Sequence, residues 1–270
     1  GGAFVLDLFN LKLASEFYGV DSCDDHQRLA VDRGIVDDCL SFEEGISKSN
    51  LIILATPVNV LAEILCETLD RVSEDQIVID LGSTKGIINH SVHSHPNRAR
   101  YISAHPMAGT ENTGPEAAFP ELYQGAVNVG CSKEGSREVA LKKALEIFQS
   151  LGMTTVFMDA EDHDKHVAYI SHLSHISSFT LGLTVLDKER DEKNITNLAG
   201  SGFESTVRLA KSSPEMWAPI FSQNKAQVSQ ALGEYISQLT EFKNMIDAED
   251  QTALLDAMKR ANDIRRILKN

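Results

Sequence analysis

Two unbroken apolar runs of strand length, residues 51–56 (LIILAT) and 76–81 (QIVIDL), flank a stretch at 58–69 whose apolar residues recur at helical spacing. Further strands are predicted at 16–21 (EFYGVD), 101–104, 126–131 and 154–158, with helices at 25–33 and 136–151. Runs without polar alternation belong to strands buried on both faces, and their separation by helices predicts an α/β fold with a Rossmann-type, doubly wound, mostly parallel sheet. The pattern changes near 159–162: from 162 to 269 almost every window is helical, with short breaks such as 212–214. The boundary is therefore placed to give a Rossmann-type domain over residues 1–160 and a helical domain over 161–270.

Composition narrows the function. The chain has 270 residues, 42% hydrophobic and 24% charged, which is ordinary for a globular protein. Lys and Arg total 25 against 39 Asp and Glu, a net charge of −14. That surplus argues against nucleic acid or an anionic membrane as partner, because both are polyanions. A small anionic substrate needs only one or two well-placed cations and stays compatible. The longest apolar run, 51–58, is far too short to span a bilayer, and no secretory signal opens the chain, so a cytoplasmic protein is expected. Cys23, Cys39, Cys66 and Cys131 are scattered without CxxC spacing, which predicts reduced thiols and neither a disulfide framework nor a metal site.

The chain opens Gly1-Gly2-Ala3-Phe4 and runs directly into an amphipathic helix. In a dinucleotide-binding domain a strand and a glycine turn precede such a helix, so Gly1 reads as the last glycine of a GxGxxG turn whose first part, with the first strand, is missing. Asp21 follows at the end of the next strand candidate, about twenty residues on, where an acidic side chain accepts hydrogen bonds from the ribose of NAD and repels the 2′-phosphate of NADP. Thr56-Pro57, ending the following strand, suits a loop passing along the cofactor. An ordinary terminus and a solvated loop aspartate stand as the bland alternatives.

Three later segments carry chemistry. Asp80-Leu81-Gly82-Ser83-Thr84-Lys85 and His105-Pro106-Met107-Ala108-Gly109-Thr110-Glu111 each close a strand at the sheet's carboxyl edge, where open α/β sheets bind ligands. His105 on such a junction can take a proton at neutral pH, and Ser83 on the neighbouring strand end offers a hydrogen-bonding partner. The helical half supplies Ser171-His172-Leu173-Ser174-His175, then 202–210 (GFESTVRLA) and Pro214-Glu215-Met216-Trp217. His172 and His175 share roughly one helix face, but no nearby carboxylates match them, so no metal is expected.

In this order the segments closely resemble the prephenate/arogenate dehydrogenase family of tyrosine biosynthesis, whose pattern is GST-K, HPMAG-x-E, SHLPH, GF-x-D-x-TR-(I/L)-A and MW. The resemblance spans nearly the whole chain, and HPMAG-x-E with the arginine and MW motifs is its most specific part. Ser174 replaces the family's proline, Val207 a threonine, and Ser205 an aspartate that would orient the arginine, a role Glu204 could share. The resemblance implies NAD-dependent oxidative decarboxylation of prephenate to 4-hydroxyphenylpyruvate, or of arogenate directly to tyrosine. His105 would accept the substrate's hydroxyl proton, with Ser83 fixing the imidazole or that hydroxyl. Arg208 would hold a substrate carboxylate, since a guanidinium fork suits one. His175 and Trp217 would line the pocket, and Glu111 would gate it or polarise the arginine. A homodimer through the helical domain is also implied. Two other readings compete: a β-hydroxyacid dehydrogenase, for which no suitable lysine helix is found, and a non-catalytic NAD-binding regulator.

Overall fold

A computed structural model describes residues 1–110, 112–191, 195 and 198–267. The chain opens with α1 (Gly2–Asn10), β1 (Tyr18–Gly19), α2 (Asp24–Asp32), β2 (Asp38–Cys39) and α3 (Phe42–Lys48). It continues through β3 (Leu51–Leu54), α4 (Val58–Arg71), β4 (Ile77–Asp80), α5 (Gly86–Ser91), β5 (Tyr101–Pro106), β6 (Val127–Cys131), α6 (Glu138–Ser150) and β7 (Thr154–Met158). The remaining helices are α7 (Ala160–Val167), α8 (Leu173–Asp191), α9 (Ser201–Val207), α10 (Pro214–Gln223), α11 (Lys225–Asp247) and α12 (Gln251–Ala261).

Five strands form one sheet in the order β3-β4-β5-β6-β7. β3, β4 and β5 are parallel, with Ile52 opposite Val78 and Ile79 opposite Ile102. β6 runs antiparallel to β5, and β7 parallel to β6. The reversal follows from the connection: no α-helix is found among the described residues between β5 and β6, and without a crossover a strand returns antiparallel. β1 and β2 pair only over two residues each, in a separate parallel ladder. The strand expected over 16–21 is thus shorter than its apolar pattern suggested.

The apolar strands serve two cores at once. Ile77, Ile79, Ile102 and Ala104 face Phe4 and Leu8 of α1 and Ala144 and Phe148 of α6. Val78 and Tyr101 turn to the opposite face, against Leu61, Leu65 and Leu69 of α4 and Ile88 of α5. Successive side chains point to opposite faces of a strand, so a run that is apolar throughout is what two covered faces require. The doubly wound arrangement rests on this division. α3 was not legible as a periodic pattern; it is short, and a capping box between Ser41 and Glu44 fixes its start.

The chain divides into two compact units, Gly1–Lys225 and Ala226–Asn270. Helices α7 to α10 therefore belong to the same unit as the sheet. Between α7 and α8 the chain makes a π-helical turn over Ala168–His172. No helix among the described residues is long and apolar enough to cross a membrane.

Leu65 is fully buried between α4 and the sheet. Leu65→Ala is expected to destabilise the protein by about 2–5 kcal/mol, the range for a cavity left in a core that relaxes incompletely. Urea unfolding followed by circular dichroism checks this; a loss below about 1 kcal/mol would mean that the α4 face repacks.

Candidate active site

The carboxyl edge of the sheet is shaped by Asp80, which is fully buried at the end of β4. Its Oδ1 accepts the Gly82 N–H at 2.8 Å and pairs with the Lys85 ammonium, while the Tyr101 hydroxyl donates to Oδ2 at 2.5 Å. Lys85 is fully buried as well. Burial, and then the Asp80 charge, push the Tyr101 hydroxyl well above its ordinary pKa, so it remains a donor. The carboxylate thus folds residues 80–85 into a tight turn over its own strand end. A Cβ on Gly82 would lie 2.6 Å from Leu61, so the turn admits no side chain there. Ser83 sits on this turn, half-buried, with no hydrogen bond from its hydroxyl among the described residues.

His105 stands on the next strand end. Its Nδ1 lies 2.8 Å from Nε2 of His163, and the His163 Nδ1 lies 2.8 Å from Asp164 Oδ1. Asp164 also accepts the Lys85 N–H at 2.7 Å and the Gly86 N–H at 2.8 Å. The partner of the His105 imidazole is therefore His163, brought by α7, and not Ser83. Burial first, then the positive fields of His163, Lys85 and His172, hold the His105 pKa well below 6.5. Burial also lowers His163, against the opposing pull of Asp164.

The helical layer is tied to this edge by two amides at the end of α10. Gln223 donates to the Val58 carbonyl at the start of α4 and accepts from Thr84 Oγ1 at 2.8 Å. Asn224 donates to the Asp164 carbonyl at 2.6 Å, and its Nδ2 lies 3.3 Å from His172 Nδ1. His172 is buried, and its pKa is pushed down to about 4, chiefly by that burial. His175 stacks on Trp217 with ring centroids 3.5 Å apart, and its Nδ1–H donates to the Ser171 carbonyl at 3.0 Å. Trp217 is buried with Val58 and Ile220, and its Nε1 has no hydrogen-bond partner among the described residues.

Arg208 opens the short helix after α9 and is exposed, and its charge lowers the His175 pKa after burial has done so. Ser178 of α8 donates to the Thr206 carbonyl at 2.8 Å, which holds the end of α9 against α8. Ser205 turns its hydroxyl to the Gly202 carbonyl of its own helix at 2.9 Å, and Glu204 is exposed. Glu111, assigned a gating role in the sequence analysis, lies outside the described residues.

The predicted cofactor edge lies along the ends of β1 and β3. Gly1 caps α1 and packs so tightly on Ala55 that a Cβ would come within 3.0 Å of the Ala55 Cβ. Pro57 caps α4, and Thr56 Oγ1 beside it is buried without a partner among the described residues. Asp21 follows β1, accepts the Cys23 N–H at 2.8 Å and has His26 Nδ1 at 3.5 Å from its other oxygen. A side-chain-free approach at Gly1 and an orphaned hydroxyl at Thr56 fit a dinucleotide, whose pyrophosphate needs close backbone and whose amide needs partners.

Sequence reasoning missed His163, Asp164, Gln223 and Asn224. The His163-Asp164 pair follows directly on the inferred domain boundary, and an adjacent histidine and aspartate at that position is the one signal that could have singled them out. Nothing in the spacing indicates that they reach back to His105.

The chain is similar to known proteins over nearly its whole length. Residues 9–157 match the family model described as the nucleotide-binding domain of prephenate dehydrogenase, and residues 159–260 the one described as its dimerization domain. The chain is 28% identical over 268 residues to the prephenate dehydrogenase of Bacillus subtilis, covering 98% of this chain and 72% of that protein. It is 25% identical to the cyclohexadienyl dehydrogenase of Zymomonas mobilis, covering 87% of this chain and 80% of that one. Among solved structures, prephenate dehydrogenase from Aquifex aeolicus in complex with hydroxyphenyl propionate and NAD+ superposes with a TM-score of 0.88 at 28% identity, covering 99% of this chain and 94% of that one. Synechocystis arogenate dehydrogenase superposes with a TM-score of 0.77 at 25% identity, covering 98% and 95%. With both family models matched in order along one sheet edge and its helical cover, this chain belongs to the prephenate dehydrogenase family of oxidoreductases.

Proposed function

We propose that the protein oxidises and decarboxylates prephenate to 4-hydroxyphenylpyruvate with NAD, in tyrosine biosynthesis. The observation that carries this reading is the imidazole of His105 at the end of β5 in a nucleotide-binding sheet, its pKa held well below 6.5 and its Nδ1 hydrogen-bonded to the buried His163–Asp164 pair of α7. Prephenate is preferred to arogenate because relatives named prephenate dehydrogenase match 98% and 100% of the chain. The Synechocystis enzyme keeps arogenate as the second reading.

Bound NAD supplies the hydride acceptor. His105 takes the proton of the substrate hydroxyl on Nε2, and the Ser83 hydroxyl aligns that oxygen. Arg208 binds a substrate carboxylate, while His175 and Trp217 form an aromatic wall. Gly1, Thr56 and Pro57 hold the nucleotide, and Asp21 accepts its ribose hydroxyls. The Rossmann-type domain takes residues 1–160 and the helical domain 161–270. An absorbance assay for NADH, run with prephenate and arogenate and with NAD and NADP, tests the whole. The higher kcat/KM is expected for prephenate with NAD; the reverse order of substrates would establish the arogenate reading, and no NADH from either would refute the function.

His105→Asn is expected to lower kcat by about 10²–10⁴-fold with NAD binding unchanged, the usual contribution of a positioned acid–base group. Because the folded site depresses the imidazole pKa below 6.5, the basic form is complete at neutral pH and is lost only as pH falls through that lowered value. The acid limb of kcat/KM against pH should therefore have its midpoint below 6.5. A midpoint at or above that value would assign the proton transfer to another group.

Cofactor choice rests on Asp21. A 2′-phosphate there meets a carboxylate, and close like charges in a partly dry site cost several kcal/mol, while about 1.4 kcal/mol is already tenfold. NAD should be favoured over NADP by at least about tenfold. Asp21→Ser with Cys23→Arg should narrow the gap. Equal kcat/KM for the two cofactors would remove Asp21 from the ribose site.

The protein is a homodimer in this reading. On α11, Ile236, Leu239, Phe242 and Ile246 recur at helical spacing and are all exposed, a stripe too apolar to leave in water. Light scattering should give about twice the 29.6 kDa chain mass. A mass near that of one chain at micromolar concentration would refute the dimer.

A further inference from the structure

Three side chains on two elements, Asp164 and His163 of α7 and His105 of β5, make one hydrogen-bonded line that ends at His105. Each link has a direction that the chemistry of its partners decides. Asp164 receives two backbone N–H groups, Lys85 on Oδ1 at 2.7 Å and Gly86 on Oδ2 at 2.8 Å. Backbone N–H groups can only donate, so the carboxylate is committed as an acceptor on both oxygens. His163 Nδ1, 2.8 Å from Oδ1, must then carry a hydrogen. Its ring is fully buried, which keeps it from holding a second one, so Nε2 presents a lone pair. His105 Nδ1, 2.8 Å from that lone pair, donates to it. With its one hydrogen on Nδ1, neutral His105 has its lone pair on Nε2.

We propose that His163 and Asp164 are positioning residues that set the tautomer of His105, so that its Nε2 is always the proton acceptor. This deepens the function proposed above and rests on it for the identity of the proton. A base works only with its lone pair on the nitrogen that meets the substrate, and an unconstrained neutral imidazole divides its hydrogen between the two nitrogens. In the reaction, the substrate's O–H bond breaks and its proton bonds to Nε2. The resulting imidazolium keeps its Nδ1–H on His163, and the Asp164 carboxylate at the end of the line balances the charge. The arrangement follows the logic of a base oriented by a third group, with one imidazole inserted between base and carboxylate.

The backbone side of the line has a further consequence. Asp164 takes the N–H groups of Lys85 and Gly86 at the start of α5, directly after the turn that carries Ser83. The Asn224 amide holds the carbonyl of the same residue. The orienting carboxylate is thus anchored to the sheet edge, and the backbone that carries it to the end of α10.

The test uses the full-length chain labelled with 15N-histidine, and reads the imidazole nitrogens of His105 together with steady-state kinetics and NAD binding at pH 7.5. In the parent protein the unprotonated nitrogen of His105 should be Nε2. His163→Phe keeps the ring volume and removes the acceptor; it should give a mixture of tautomers and lower kcat by about 10²-fold, the lower end for loss of an acid–base group, with NAD affinity unchanged. His163→Gln places an amide oxygen where the acceptor was, and should restore the Nδ1–H tautomer and most of the rate. Asp164→Asn, whose amide no longer forces a hydrogen onto His163 Nδ1, should raise the Nε2–H fraction at His105 and carries the test should His163→Phe not fold. An Nε2–H tautomer in the parent protein, or His163→Phe and His163→Gln losing kcat equally with the tautomer unmoved, would overturn the proposal. The nitrogen signals need no substrate, so a protein that oxidises neither cyclohexadienol refutes the proposed function alone and still reports on the tautomer.

Discussion

The interaction on which the rest depends is the acceptance of three donors by the Asp164 carboxylate. Two come from the backbone at the start of α5 and the third from His163. A buried carboxylate is tolerated only when its lone pairs are filled, and here the filling groups belong to the sheet edge on one side and to the helical layer on the other. One residue therefore decides where α7 begins to pack, how the turn after β4 continues, and which way two imidazoles are wired. Remove it, and backbone donors at the heart of the site are left without partners.

Around this carboxylate the site maintains a balance of charge in which its histidines stay neutral. Lys85 and Asp80, both fully buried, cancel one another beneath the turn, and the Tyr101 hydroxyl completes the Asp80 shell. Losing either partner would strand a charge in a dry interior, which is far more costly than the pair itself is stabilising. The Lys85 field also helps to keep a proton off His105. The same pair that shapes the turn thus helps to prepare the base.

Rigidity follows from how the chain divides. Helices α7 to α10, which carry His163, His175 and Trp217, and the short helix after α9 that opens with Arg208, fall in one compact unit with the sheet. Gln223 and Asn224 bolt the end of α10 to the start of α4 through Val58, to the turn before α5 through Thr84 and to α7 through Asp164. The π-helical turn at Ala168–His172 resets the phase of the long helix; at its end His172 faces Asn224, and three residues on His175 stacks on Trp217. Such single-turn departures from α geometry recur at functional sites, where they aim side chains that a regular helix would direct elsewhere. A site built on packed helices and strand ends can hold its groups to the tolerance that proton transfer demands.

The amino-acid pattern alone was enough for the architecture. Unbroken apolar runs such as 76–81 could only be strands covered on both faces, and the change of period near 160 marked where sheet gives way to helix. The motifs also placed His105, Ser83, Arg208 and Trp217 in one family's order, because motif spacing is a local property that a linear reading preserves. What folding alone decided is the set of links between segments distant in the chain. His105 meets His163 across 58 residues, Lys85 meets Asp164 across 79, and Thr84 meets Gln223 across 139. No periodicity encodes such pairs, since a hydrogen bond between two elements depends on their crossing in space and leaves no repeat along either one. The antiparallel return of β6 and the π turn before α8 have the same origin: each is settled by what the segment packs against, after the local preferences have been spent.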